Sequence, residues 1–273
     1  MAGKLYVVGT PIGNLSDMSP RGARALEEAD FIAAEDTRVS LKLLNHLGIR
    51  KPLVSYHEHS SRSVSESILA RISAGESCAV VTDAGMPCIS DPGEDLVKLC
   101  AENGVEVVVV PGPSAVISAL AVSGLATSRF SFEGFLSTAK KQRYAHLESV
   151  AEDTRTLIFY EAPHKLLSTL EDMHTYFGDR RISLCRELTK LHEEVIRTTL
   201  DQAAARYREK PPRGEFVLVV EGAPEKAEKP LSLEEALALV QALVDGGMRR
   251  TDACREVAKD SGFSKSRLYA GLE

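Results

Sequence analysis

Residues 78–115 read CAVVTDAGMPCISDPGEDLVKLCAENGVEVVVVPGPSA, and this stretch decides the fold. Cys78–Thr82 is a short aliphatic strand, followed by an irregular Gly/Pro loop up to Gly93. A helical pattern then runs to Gly104, Val105–Val110 is a second strand, and Pro111–Ala115 is a second Gly/Pro loop. Strand, helix and strand in so short a span make a parallel crossover unit. The Val run is so uniformly aliphatic that it reads as buried on both faces.

The same alternation extends back to the first residues. Leu5–Gly9, Phe31–Glu35 and Leu53–Tyr56 read as strands. Ser19–Pro20 opens a helix with an N-cap and a first-turn proline, a helix from Val39 stops at Gly48, and another follows Ser61. Residues 1–124 are therefore expected to form an open, mostly parallel α/β domain. Past Gly124 the strands Phe130–Phe135, Thr156–Tyr160, Arg181–Arg186, Glu194–Thr199 and Phe216–Val220 follow. The third and fourth lie too close in sequence for a parallel crossover, so 125–222 should be a second α/β domain with a mixed sheet. The charged, aperiodic stretch 223–230 suits a linker. In 231–273, Leu233, Ala236, Leu237, Val240, Leu243 and Val244 share a helical face, and two short helices, about Arg250–Ser261 and Ser264–Gly271, have a helix-turn-helix cadence.

With 273 residues, 44% hydrophobic and 26% charged, the chain excludes disorder, collagen and a disulfide scaffold. Five cysteines at irregular spacings read as reduced, buried thiols. No apolar run reaches bilayer length and a strand pattern begins at once, so the chain reads as cytoplasmic. A net charge of −6 means that bulk attraction does not bring nucleic acid to it, and any such contact needs a local basic patch. Two clusters qualify: Lys140, Lys141 and Arg143, and the six cations Arg249, Arg250, Arg255, Lys259, Lys265 and Arg267 set against Asp252, Glu256 and Asp260.

Three loops lie at expected strand C-terminal ends, where open α/β sheets bind ligands: Gly9–Leu15, Asp83–Gly93 and Pro111–Ala115. None has a dinucleotide or phosphate-loop pattern, and none contains Lys or Arg. A ligand with an ammonium or sulfonium centre is compatible with Asp83 and Asp91. Glu35, Asp36 and Arg38 end the second strand. Charge alone leaves two alternatives open there, an acid–base group at the cleft or a helix N-cap with a surface ion pair. Glu161-Ala-Pro-His164 ends a second-domain strand, with a helix expected from Pro163, and Arg186-Glu-Leu-Thr-Lys190 is plausible as cleft wall or as surface. His57 and His59 lack a third metal ligand at useful spacing, so no metal is expected.

Gly9–Leu15, Ala34–Arg38, Asp83–Gly93, Pro111–Ala115, Glu161–His164, Arg186–Lys190 and Gly214–Val220, in that order, resemble the tetrapyrrole methylase superfamily, and within it the branch acting on ribosomal RNA. The resemblance covers nearly the whole chain. It implies a two-domain, usually homodimeric enzyme that holds S-adenosylmethionine between its domains and methylates the ribose 2′-hydroxyl of a cytidine in the decoding region of 16S ribosomal RNA. By position it implies Ile12, Asp83, Met86, Ser114 and Ala115 as cofactor contacts, with Leu188, Gly214, Glu215 and Phe216 from the second domain. Asp36, Glu35 and His164 are the candidate bases, and Arg38 and Lys190 would position phosphate. Two alternatives stand beside this: a methylase of the same fold acting on a tetrapyrrole or protein, and a helix-turn-helix regulator whose α/β body senses a metabolite.

Overall fold

In the computed structural model, which describes residues 3–225 and 231–272, β1 (Lys4–Val8), β2 (Phe31–Ala34), β3 (Leu53–Ser55), β4 (Cys78–Val81) and β5 (Glu106–Val110) form one sheet. All pairings are parallel, in the order β3-β2-β4-β1-β5. The crossovers are α1 (Pro20–Glu28), α2 (Thr37–Leu47), α3 (Arg62–Ser73) and α4 (Glu94–Glu102). Ser19 caps α1 as expected, its hydroxyl accepting from the Gly22 N–H at 2.9 Å. The period-two alternation of the strands serves two cores, one on each face. Phe31, Ala33, Cys78 and Val80 enter one, and Ile32, Ala34, Ala79 and Val81 the other, which is why these strands are apolar at every position.

The Val run departs from expectation. β5 is an edge strand, and Val109 is 57% exposed. Its valines satisfy strand propensity without being buried on both faces. The open side is partly masked by Arg21, whose guanidinium donates to the Val109 carbonyl at 3.2 Å.

The second sheet contains β6 (Phe130–Phe135), β7 (Thr156–Glu161), β8 (Arg181–Arg186), β9 (Glu194–Thr199) and β10 (Phe216–Val220), in the order β6-β7-β10-β8-β9. β6 and β7 are parallel and the remaining pairs antiparallel, so the sheet is mixed as expected. One face is covered by α6 (Lys140–Val150), α7 (Leu166–Phe177) and α8 (Leu200–Glu209) over a core centred on Leu157, Phe159, Leu184 and Leu218. The other face receives α5 (Ala115–Ser123), whose Val116, Ala119 and Leu120 pack with Ile158, Cys185, Val217 and Val219. Thus α5 leaves the third loop of the first sheet and roots itself in the second. Both sheets belong to one compact unit, Met1–Ala223.

The second unit, Pro224–Glu273, has its own small core. Ala236 and Val240 of α9 (Leu233–Asp245) meet Ala253, Cys254 and Val257 of α10 (Arg250–Asp260) and Leu268 of α11 (Lys265–Ala270). A capping box starts α9, with Ser232 and Glu235 each bonding the other's backbone N–H. Of the linker expected at 223–230, residues 226–230 lie outside the described residues. Among the described residues no helix is long and apolar enough to cross a membrane, and all five cysteines are unpaired thiols.

Phe159 lies fully buried at the centre of the second sheet's core. Phe159→Ala should lower stability by about 3–5 kcal/mol, whereas Phe135→Ala, at a side chain 57% exposed, should stay within about 0.5 kcal/mol. Urea titration of both variants checks the contrast.

Candidate active site

The three Gly/Pro loops converge at the C-terminal edge of the first sheet, and backbone contact fixes their spacing. A Cβ on Gly9 would lie 2.7 Å from the Gly112 Cα, and one on Gly112 would lie 2.8 Å from the Gly9 Cα. Neither position tolerates a side chain without moving main chain. The first and second loops are tied by a two-way bridge: Thr10 N–H donates to Gly85 O at 2.9 Å, and Gly85 N–H to Thr10 O at 3.2 Å. Gly85 has φ +91°, and a Cβ there would meet Ile12 at 3.4 Å and the Pro113 carbonyl at 3.6 Å. Residues from all three loops therefore face one small space. Ile12, Met86, Ser114 and Ala115 are half-buried around it, and Ser114 caps α5 by accepting from Ile117 N–H at 3.5 Å.

A lattice of carboxylates borders these loops. Asp83 Oδ1 accepts from the Asp36 N–H at 3.1 Å, and Glu35 Oε2 accepts from the Asp83 N–H at 3.2 Å. The ends of β2 and β4 are thus crosslinked through side chains. Burial pushes the Asp83 carboxyl above the usual carboxylate range. Beyond them the loop reaches Asp91, and a cavity of about 690 Å³ opens between Asp91, Glu35, the segment Tyr56–Arg62 and α4. From the second sheet, Gly134 approaches Ser90, with Oγ 3.4 Å from where its Cβ would sit.

The four described non-glycine residues with positive φ lie in two loops: Cys88 (71°) and Ser90 (57°) in one, Glu187 (50°) and Thr189 (66°) in the other. Backbone held in that region concentrates at ligand-binding segments. The second of these loops joins β8 to β9 and grips the first sheet. Lys190 lays its stem over Gly13, where a Cβ would be 2.5 Å from Lys190 Cγ, and its ammonium lies 2.9 Å from both Glu187 and Glu215.

Several expected roles change in the structure. Asp36 is the N-cap of α2, accepting from Arg38 N–H at 2.8 Å, and the Arg38 guanidinium clamps it at 2.6 Å. Those contacts hold its carboxyl down to about 2, so it is a poor base. Arg38 and Lys190 have their charges engaged by carboxylates rather than free for phosphate. Arg143 is buried and bound to Asp172 at 2.7 Å, so only Lys140 and Lys141 of that cluster are exposed. Phe216 is 2% exposed in the second core against Tyr207, so its side chain cannot line the cleft. Leu188 packs partly on the α5 core, Gly214 has φ +86° beneath Glu187, and Glu215 is exposed. The helix expected from Pro163 begins at Leu166, leaving His164 exposed on a turn. Its neighbour Glu161 is structural: it is buried, accepts from Thr169 Oγ1 and Ala162 N–H, and pairs with Lys165. Glu35 remains half-buried at the cavity. In the second unit Arg255 and Lys259 pair with Asp252 and Glu256, while Arg250 stacks on Tyr269 and Arg267 on Phe263. Arg249, Arg250, Lys265 and Arg267 have no ion-pair partner among the described residues.

Comparison with known proteins fits this arrangement. Residues 4–204 match the family described as Tetrapyrrole (Corrin/Porphyrin) Methylases. The chain belongs to the tetrapyrrole methylase family. It is 47% identical to "Ribosomal RNA small subunit methyltransferase I" of Synechocystis sp., over 98% of this chain and 96% of that one. It is 42% identical to the protein of the same name from Haemophilus influenzae, again over 98% and 96%. Among solved structures, diphthine synthase superposes with a TM-score of 0.60 at 16% identity, over 80% of this chain and 90% of that one, a likeness of fold.

Methylases of this family use S-adenosylmethionine. The loop cluster suits it: glycine backbone permits close approach, no loop carries a cation to repel the sulfonium, and Asp83 supplies an acceptor. Gly112→Ala should therefore weaken cofactor binding at least about tenfold, or 1.4 kcal/mol, by forcing the first and third loops apart. Asp83→Ala should weaken it as well. Calorimetric titration of the folded variants is the check, and unchanged affinity would remove the residue concerned from the cofactor site.

Proposed function

We propose that this methylase transfers the methyl group of S-adenosylmethionine to the ribose 2′-hydroxyl of a cytidine in the decoding region of 16S ribosomal RNA, with the small subunit as substrate. The observation that carries the reading is the near-full-length likeness to proteins named as small-subunit ribosomal RNA methyltransferases. The geometry supports it in two ways. The cavity beside the cofactor loops is rich in carboxylates, Glu35, Glu58, Asp91, Glu94, Asp95 and Glu102 against Arg62 and Lys98. A carboxylate-bearing tetrapyrrole would be repelled throughout such a cavity, whereas a nucleoside can enter it with its phosphates left outside. Arg249, Arg250, Lys265 and Arg267 of the second unit, meanwhile, have no ion-pair partner among the described residues and are available to phosphates.

When bound, the cofactor supplies a methyl group already activated by positive sulfur. What the chain must add is alignment of the ribose oxygen with that methyl and removal of the hydroxyl proton. The crossed loops serve alignment: with Gly9 against Gly112 and Thr10 bridged to Gly85, the cofactor walls cannot drift. The Glu35–Asp83–Asp36 lattice holds the neighbouring cleft edge in the same frame.

The relative from Thermotoga maritima is informative about the second unit. It is 47% identical over 220 residues, 99% of its own length but 81% of this chain. A protein of that name therefore exists at about the length of the first unit, which supports placing the chemistry in residues 1–223 and an accessory grip on RNA in the second unit. We also propose a homodimer, since apolar side chains such as Ile117, Phe135 and Leu191, the last 93% exposed, offer surface for a second copy. Sedimentation tests it.

Tritiated methyl transfer to vacant small subunits, with a porphyrin precursor as control, tests the reaction, and label in the precursor alone overturns the reading. The triple variant Arg249→Ala, Lys265→Ala, Arg267→Ala should keep cofactor affinity and flatten the salt dependence of subunit binding by roughly two units, since each phosphate contact contributes a slope of about 0.7–0.9. Binding isotherms at several salt concentrations read this directly, and an unchanged slope removes the second unit from RNA recognition.

A further inference from the structure

Among the carboxylates of the cleft and its cavity, Glu58, Glu94, Asp95 and Glu102 are exposed to solvent, and only one that is at least half-buried has no partner among the described residues. Asp36 is clamped by Arg38, Asp83 accepts from Asp36 N–H, and Glu35 accepts from Asp83 N–H. Glu161 is fully engaged by Thr169, Ala162 and Lys165. Asp91 is half-buried, lines the cavity, and makes no hydrogen bond or ion pair with any described residue. Its loop begins with the expected cofactor contacts Asp83 and Met86 and passes through the positive-φ residues Cys88 and Ser90 before Asp91. One loop thus has cofactor wall at its start and the free carboxylate near its end.

We propose that Asp91 is the general base of the methyl transfer, accepting the proton of the attacking ribose hydroxyl. This rests on the reaction proposed above. In balanced form, the step makes a bond between the ribose oxygen and the methyl carbon. The sulfur–methyl bond breaks with its electron pair going to sulfur to leave a neutral thioether, and the hydroxyl proton goes to the Asp91 carboxylate.

The surroundings of Asp91 suit the task. Glu35 and Asp83 face it from the ends of β2 and β4, Tyr160 from β7, and Cys88 lies beside it on its own loop; His57, Arg62 and Lys98 stand on other walls of the cavity. Burial, and then the charges of Glu35 and Asp83, push its carboxyl up to about 6. A base is most effective when it titrates near working pH, ionised there yet with affinity for the proton. The same shift has a sign in stability. The folded protein holds this proton in a range where the unfolded chain has lost it, so stability falls as pH rises from about 4 to about 6 and stays lower above that. Replacing Asp91 by an uncharged isostere should relieve this cost, the reverse of what removing a structural residue does.

The test compares wild type, Asp91→Asn and Asp91→Glu in single-turnover methyl transfer to vacant small subunits from pH 5 to 9. Cofactor titration, thermal unfolding at pH 4 and 8, and infrared detection of the carboxyl band in the cofactor-free protein accompany it. Asp91→Asn should lose about 10²–10⁴-fold in rate, lose the rise in rate through pH 6, keep its cofactor affinity, and unfold at higher temperature than wild type at pH 8 but not at pH 4. Asp91→Glu should recover part of the rate, and a carboxyl band titrating near pH 6 should be present in wild type and absent from Asp91→Asn. An Asp91→Asn variant within tenfold of wild type, or slowed with the rise through pH 6 intact, overturns the base while leaving the reaction in place. A wild-type protein that transfers no methyl to subunit RNA overturns both.

Discussion

The contact of Gly9 with Gly112 is the constraint from which the rest of the site follows. Two strand ends brought to backbone contact leave no freedom in the relative position of the first and third loops. The second loop is then fixed to the first through the Thr10–Gly85 bridge, and Met86 packs toward Gly9. Only after this crossing does the chain enter α5, which carries the register of the first sheet into the core of the second. The loops of the first sheet are fixed at these points by main-chain contacts, which do not rotate as side-chain contacts do.

Electrostatics divide the labour. Around the cleft, Arg38 is engaged by Asp36, Lys165 by Glu161 and Lys190 by Glu187 and Glu215. The exposed pairs among them orient loops more than they stabilise them, whereas Lys165–Glu161 is largely buried. Their consequence is a cleft that keeps its negative character, favourable to a sulfonium and hostile to phosphate. Affinity for a polyanion has to come from somewhere else, and exposed Lys140 and Lys141 together with the unpaired cations of the second unit are the clusters suited to supply it.

The alternation of aliphatic runs and helical periods was enough to read two α/β layers and a helical third segment, because burial on both sheet faces leaves the same signature in any strand order. Strand order itself was not readable: it depends on which helix covers which face, and the Val run shows the cost, since a valine row is equally compatible with a central and an edge strand. Asp36 and Arg143 show a second limit. Whether a charged residue caps, pairs or waits for a ligand is decided by neighbours distant in sequence, Asp172 being 29 residues from Arg143. Asp91 was visible as part of a Gly/Pro loop, but its lack of partners depends on residues from β2, β4 and β7 that only folding brings together.

β5 carries one further consequence. An edge strand rich in valine, with Val109 exposed, is a template onto which another extended chain can add. Arg21 occupies one of its outward carbonyls, and Lys4 bonded to Glu106 places charge at its start. Both contacts blunt β5 as a template for adding strands, Lys4 at its start and Arg21 next to the strand end that leads into the third loop.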